Sequence, residues 1–139
     1  MKLSTRNQLK GSVASLTKGV VNSEVLIRLG ADREVVAIIT NGAVASLDLK
    51  EGTEVIALVK ASNVMLGTSI DKISARNVLC GKVASIIDGA VNTEVVVDLG
   101  DDCSVTSVIT KLSAQKLELT AGSDICAIIK ASSVIVATA

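Results

Sequence analysis

Residues 2–30, KLSTRNQLKGSVASLTKGVVNSEVLIRLG, return as residues 72–100, KISARNVLCGKVASIIDGAVNTEVVVDLG. The offset of 70 holds to the end: EGTEVIALVKASNVMLGT at 51–68 returns as AGSDICAIIKASSVIVAT at 121–138. Residues 2–68 lie on 72–138 without insertion or deletion, and 29 of the 67 aligned positions are identical. Self-similarity at a fixed period means that one structural unit is made twice. The chain therefore reads as two domains, residues 1–68 and 72–139, with a linker at 69–71 too short to let the halves drift apart. The offset is also a filter, because chemistry that belongs to the unit should recur 70 residues on.

A unit of this size has little core, and the chain has no Phe, Tyr or Trp to fill it. Val, Ile, Leu and Ala must supply the interior, so repeat packing on repeat and chain on chain is expected. Charge is balanced, 14 basic against 14 acidic residues. With neither a basic stripe nor aromatic rings for stacking, nucleic acid is not an expected partner. No apolar run reaches the length of a membrane span and no signal peptide opens the chain, so a cytoplasmic protein away from membranes is expected.

Cys80, Cys103 and Cys126 all lie in the second repeat, where the first has Lys10, Arg33 and Ile56. An odd count, no CxxC and no His anywhere argue against a zinc site or a disulfide framework. The thiols are expected to be reduced and incidental, with Cys126 a small core residue in place of Ile56. The absence of His also removes the usual general base, and no phosphate-loop motif is present. Glu24 with Glu94, and Asp32 with Asp102, pass the filter but have no partner at useful spacing. The chain is not expected to be an enzyme.

The patterning within one repeat is that of strands. Leu9 to Leu16 has period two, broken by Gly11, and a Lys18-Gly19 turn follows. Val21 to Leu29 alternates, with Val25, Ile27 and Leu29 on one face. Gly30-Ala31-Asp32 is a hairpin turn into a strand at 34–40. Asn41 to Leu49 breaks the alternation and predicts a short helical turn, capped by Asn41 here and by Ser113 in the second copy. Gly52 turns the chain into a strand at 54–60, and residues 64–67 end the unit. The fold class is all-β with one short helix per repeat, two five-stranded barrels of the oligonucleotide/oligosaccharide-binding (OB) type.

Two filtered motifs do not look like barrel core. One is S-x-R-N: Ser4, Arg6 and Asn7, repeated as Ser74, Arg76 and Asn77. The other is K-A-S: Lys60, Ala61 and Ser62, repeated as Lys130, Ala131 and Ser132. In extended chain, residues i and i+2 share a face, so each motif aims a cation and a hydroxyl together. Thr40 and Thr110 add another filtered hydroxyl. Brought together, these make a donor-only cluster with positive charge, suited to a fully deprotonated tetrahedral oxyanion. The same residues also read as solvated strand ends, and Asn7 and Asn77 read better as braces of a turn than as ligand contacts.

STRNQLKG and SARNVLCG, GVVNSEV and GAVNTEV, and LVKASNVMLG and IIKASSVIVA, in that order and spacing, resemble the molbindin family, built from the Mop domain. The resemblance covers essentially the whole chain and fits the tandem, two-Mop form. It implies paired barrels of the Mop/TOBE kind in which a strand of one repeat completes the barrel of the other, assembled as a homotrimer. It implies molybdate or tungstate as bound ligand and no organic cofactor or bare metal cation. The ligand contacts it implies are Ser4, Arg6, Thr40, Lys60, Ala61 and Ser62, with Ser74, Arg76, Thr110, Lys130, Ala131 and Ser132. A second, axial oxyanion site would draw on Val21, Asn22, Val91 and Asn92. Thr5, where the second copy has Ala75, is expected to point away from Arg6. The implied function is cytoplasmic molybdate binding for storage or homeostasis; a structural or regulatory interaction module is the alternative.

Overall fold

β-branched and aliphatic residues at period two, punctuated by Gly and Asn turns, build ten strands in the computed structural model, which describes residues 1–30 and 32–138. In the first repeat these are β1 (Asn7–Lys18), β2 (Asn22–Arg28), β3 (Glu34–Thr40), β4 (Glu54–Val59) and β5 (Met65–Gly67). The second repeat gives β6 (Asn77–Asp88), β7 (Asn92–Gly100), β8 (Cys103–Thr110), β9 (Asp124–Ile129) and β10 (Ile135–Ala137). The helices α1 (Asn41–Ser46) and α2 (Lys111–Lys116) precede the fourth strand of each copy. The middle of the Gly30-Ala31-Asp32 turn, Ala31, lies outside the described residues.

The two compact units are not the two repeats. Unit 1 comprises Met1–Val59 with Lys130–Ala139, and unit 2 comprises Lys60–Ile129. Unit 1 holds an antiparallel sheet in the order β10-β4-β1-β2-β3, and β10 also meets β3. Unit 2 repeats the pattern as β5-β9-β6-β7-β8, with β5 meeting β8. Each barrel is closed by the last strand of the other repeat, so the exchange implied by the resemblance is present.

Alternation decides the interior. Val25 and Ile27 of β2 and Leu29 just after it point inward with Val35 and Ala37 of β3, Val55, Ala57 and Val59 of β4, and Val136 of β10. Val95, Val97 and Leu99 repeat the stripe in unit 2 beside Val105, Ile125, Ala127 and Ile129. Each Val, Leu or Ile side chain buried this way contributes about 1.5–3 kcal/mol, so a core without aromatic rings suffices if nearly all are covered.

β1 runs straight through Gly11 and does not break there. The glycine is needed because a Cβ would collide with the Arg28 carbonyl of the neighbouring strand, and Gly81 stands in the same relation to Asp98. Two residues on, the register shifts between Val13 and Ser15, a bulge that bends the long strand around the barrel; β6 shifts likewise between Val83 and Ser85.

The helix caps differ from expectation. Thr40 caps α1, its hydroxyl accepting the Ala43 N–H at 3.0 Å, and Thr110 caps α2 by accepting the Ser113 N–H at 3.1 Å. Asn41 instead ties down the β1–β2 turn. Its carbonyl oxygen accepts from the Ser23 hydroxyl at 2.5 Å, and its amide donates to the Gly19 and Val20 carbonyls at 3.0 and 3.2 Å.

The cysteine expectation is overturned. Cys80 and Cys126 face each other across the β6–β9 ladder and are disulfide-bonded, leaving Cys103 free. Counting spacings along the chain misses a pair that strand register creates 46 residues apart. Nor is Cys126 core: like Ile56 it is half-buried, and its neighbours Ile125 and Ala127 take the interior.

Candidate functional site

The S-x-R-N segments lead into the first strand of each repeat. Asn7 opens β1 opposite Val59, and Asn77 opens β6 opposite Ile129; both asparagines are only 2% exposed. Thr5 donates its hydroxyl to the Val59 carbonyl at 2.8 Å, and the Gln8 amide donates to the Thr5 carbonyl at 3.0 Å. Thr5 is turned to the sheet, whereas Ser4 and Arg6 are exposed, and Ser74 and Arg76 are exposed likewise. Ala75, half-buried like Thr5, has no hydroxyl to repeat the bond.

The K-A-S segments are not strand. β4 stops at Val59, Lys60 is extended, and Ala61–Asn63 forms a 3-10 turn closed by the Asn63 N–H on the Lys60 carbonyl at 2.9 Å. Lys130 and the turn Ala131–Ser133 repeat this. The i, i+2 argument therefore fails for Lys60 and Ser62, because a 3-10 turn spaces side chains about 120° apart. What the turn does is sink the middle alanine and leave its flanks outside. Ala131 is buried and Ala61 half-buried, whereas Lys60, Ser62, Lys130 and Ser132 are exposed.

The exchange sorts these segments into mixed sets. Unit 1 contains Ser4, Arg6 and Thr40 from the first repeat with Lys130, Ala131 and Ser132 from the second. Unit 2 contains Ser74, Arg76 and Thr110 with Lys60, Ala61 and Ser62. In unit 1 the turn Ala131–Ser133 packs on β3, the strand that Thr40 ends; in unit 2 the turn Ala61–Asn63 packs on β8, which Thr110 ends. Each set has an arginine, a lysine, three hydroxyls and no carboxylate.

Val21, Asn22, Val91 and Asn92 sit at the tips of the β1–β2 and β6–β7 hairpins. Val21 is 68% and Val91 73% exposed, and Val20 beside Val21 is 99% exposed. Asn22 stands opposite Thr40 in the β2–β3 ladder and Asn92 opposite Thr110 in β7–β8. Asn22 and Asn92 thus lie next to the hydroxyl of each mixed set at one edge.

The copies differ in detail. Thr110 donates its proton to the Ser113 hydroxyl at 2.8 Å, whereas Ala43 stands at that position beside Thr40. Lys111 replaces Asn41, and Thr93 turns to the Asp88 carboxylate at 2.9 Å where Ser23 meets Asn41. Ser107, buried where the first copy has Ala37, donates to the Val64 carbonyl at 2.6 Å and pins the incoming segment in unit 2. Of the filtered carboxylates, Glu24 and Glu94 lie half-buried on β2 and β7, and Asp32 and Asp102 are exposed. Among the described residues, no cluster of His, Cys, Asp or Glu could hold a metal cation, and no helix is long and apolar enough to cross a membrane.

The sequence pattern of the TOBE domain matches residues 3–66 and again residues 73–136. The chain is 48% identical over 138 residues to the molybdenum transport protein ModE of Azotobacter vinelandii, covering 99% of this chain and 51% of that protein. It is 45% identical over 139 residues to the molybdenum-pterin-binding protein MopA of Rhodobacter capsulatus, covering 99% of this chain and 52% of that one. The chain thus spans about half the length of these curated relatives. A crystal structure of the cytoplasmic molybdate-binding protein ModG, with molybdate bound, superposes with a TM-score of 0.96 at 43% identity, covering 100% of both chains. Two matched domains across nearly the whole length, and the same fold end to end, establish that the chain belongs to the TOBE domain family, in the tandem Mop-domain form of the molbindins.

Proposed function

We propose that this protein binds molybdate, and tungstate equally well, as a cytoplasmic oxyanion-binding protein for molybdenum storage or homeostasis. The observation that carries the reading is the end-to-end likeness to molybdate-bound ModG. The mixed donor sets support it chemically. Arg6 with Lys130, and Arg76 with Lys60, offer a planar fork and a point charge, which suit different oxygens of one anion. Ser4, Thr40 and Ser132, and Ser74, Thr110 and Ser62, contribute neutral hydroxyls, the Thr110 proton having to turn from Ser113 to reach an anion. Thr40 accepts a helix N–H, which leaves its own proton to donate.

The fully deprotonated dianion accepts hydrogen bonds only, and a set without a carboxylate repels none of its charge. Phosphate at neutral pH keeps a proton that finds no acceptor here, and sulfate's shorter bonds leave donors out of reach. The sets are exposed on one chain, so covering them requires a second surface, and a homotrimer with anions held at subunit interfaces is the assembly we infer. Nothing in such a site performs a reaction.

The half-length match to ModE favours a second reading, in which the tandem domain is a regulatory module that passes its ligand state to a partner. Equilibrium dialysis against molybdate, with light scattering on the same sample, tests the first reading. Saturable binding by a species of three chains supports it. A monomer that takes up no molybdate defeats it.

A further inference from the structure

We propose that Cys80 and Cys126 form a reversible thiol–disulfide site on unit 2, serviced by low-molecular-weight thiols and disulfides, with no counterpart on unit 1. The two cysteines are directly opposed on adjacent antiparallel strands, with Leu79↔Ala127 and Gly81↔Ile125 paired on either side. The ladder holds the sulfurs together with or without the covalent bond. Oxidation and reduction therefore require no refolding, unlike a bridge that gathers distant loops.

The bond is also open to attack. Cys80 is exposed and Cys126 half-buried, on the outward face of the sheet. On the far flank of β9, the residue opposite Cys126 is Gly67 of β5, with the Ile70 side chain packed against it, so access to the bridge is from the Cys80 side. On the far flank of β6, the β7 ladder pairs only from Lys82 onward, past Cys80. Along the same face, Lys82 is engaged with Asp124 at 2.6 Å, so the next side chains hold each other beside the bridge. In unit 1 the equivalent opposed pair is Lys10↔Ile56, which can do none of this.

A thiolate RS⁻ attacks the accessible Cys80 sulfur, forming Cys80–S–S–R and expelling the Cys126 thiolate. A second thiolate attacks the R sulfur, forming RSSR and expelling the Cys80 thiolate. The two small thiols are oxidised, the protein disulfide takes their two electrons, and both protein thiolates take up protons from solvent. The reverse sequence, driven by RSSR, restores the bond. Because β6–β9 is the central pairing of unit 2, the covalent lock tightens one barrel and leaves the other unchanged.

The test is thiol titration of the folded protein under anaerobic conditions. After equilibration with oxidised glutathione, at most one reactive thiol per chain is expected, Cys103 where it escapes glutathionylation. After reduced glutathione, three are expected, with the circular dichroism of the sheet unchanged. In Cys103→Ser the count should go from zero to two, which excludes exchange with Cys103. Phenylarsine oxide, which chelates paired thiols, should block re-oxidation of the reduced form. Three thiols persisting in oxidised glutathione would overturn the proposal, as would a bond that yields to reduced glutathione only after denaturant is added.

Discussion

The sharpest test of the mixed donor sets is a double-mutant cycle between repeats. Arg6→Ala removes a cation that shares unit 1 with Lys130, Ala131 and Ser132. The remaining donors then face a partly covered dianion with one charged hydrogen-bonding partner missing. That loss costs roughly 2–4 kcal/mol, or one to three decades of affinity at about 1.4 kcal/mol per decade. Both side chains are exposed on one chain, so the lower half of that range is expected wherever water reaches the anion. Lys130→Ala should cost the same and remove the same sites. If one anion meets both, the double variant loses little more than either single one, giving a coupling above about 1 kcal/mol. Arg6→Ala with Lys60→Ala should be additive within about 0.5 kcal/mol, because those residues belong to different sets. Titration calorimetry with molybdate on the singles and both doubles reads affinity and stoichiometry together. Coupling of Arg6 to Lys60 in place of Lys130 would refute the crossed arrangement. Wild-type binding in all four single variants of Arg6, Lys60, Arg76 and Lys130 would remove them from the site.

Thr5→Ala deletes the hydroxyl on the Val59 carbonyl and should lower stability by about 0.5–1.5 kcal/mol in urea titration, with molybdate stoichiometry unchanged. Gly11→Ala forces a Cβ onto the Arg28 carbonyl, and should destabilise by about 1–3 kcal/mol or prevent folding; expression and thermal melting read it. The Lys82 ammonium, through its hydrogen bond and its charge, holds the Asp124 carboxyl below the usual carboxylate range. Its small contribution is therefore present above the unfolded carboxylate's pKa, near 3.9, and is lost as pH falls through the lower folded value. NMR titration should place Asp124 below its ordinary midpoint, and Lys82→Gln should return it there. Sulfate and phosphate should fail to displace bound molybdate at comparable concentration, whereas tungstate should displace it; equal competition by phosphate would contradict a donor-only site.

Much of this fold is readable because period two and the 70-residue offset report the same thing independently. β3 runs Glu34–Thr40, the span read from the sequence, and Val25, Ile27 and Leu29 share the inner face as the alternation of 21–29 implies. The readings that fail depend on neighbours in space. Cys80 and Cys126 meet only because β6 pairs with β9 in one register. The K-A-S segment leaves the strand because Val64 must be buried after a reversal at Ala61–Asn63, a constraint that lies in the barrel and not in the local residues. Thr40 ends a strand and caps a helix at once, and its strand-like neighbours conceal the second role. The exchange of closing strands came from family resemblance alone; no pattern within a repeat distinguishes its own last strand from its twin's.

That exchange sets an order on assembly. Unit 2 is continuous from Lys60 to Ile129, so its barrel is complete once β9 has left the ribosome. Unit 1 must wait for β10, more than 70 residues after β4 ends at Val59. At the usual 5–20 residues per second, β4 stays a bare sheet edge for about 4–15 s in every nascent chain. During that interval the strands that can cover the edge are the chain's own β5, which unit 2 needs only once β9 is made, and the closing strand of another copy already finished on a neighbouring ribosome. Crowded translation of this protein should therefore yield some chains joined through a borrowed β10, in proportion to expression rate, and slower synthesis should suppress them.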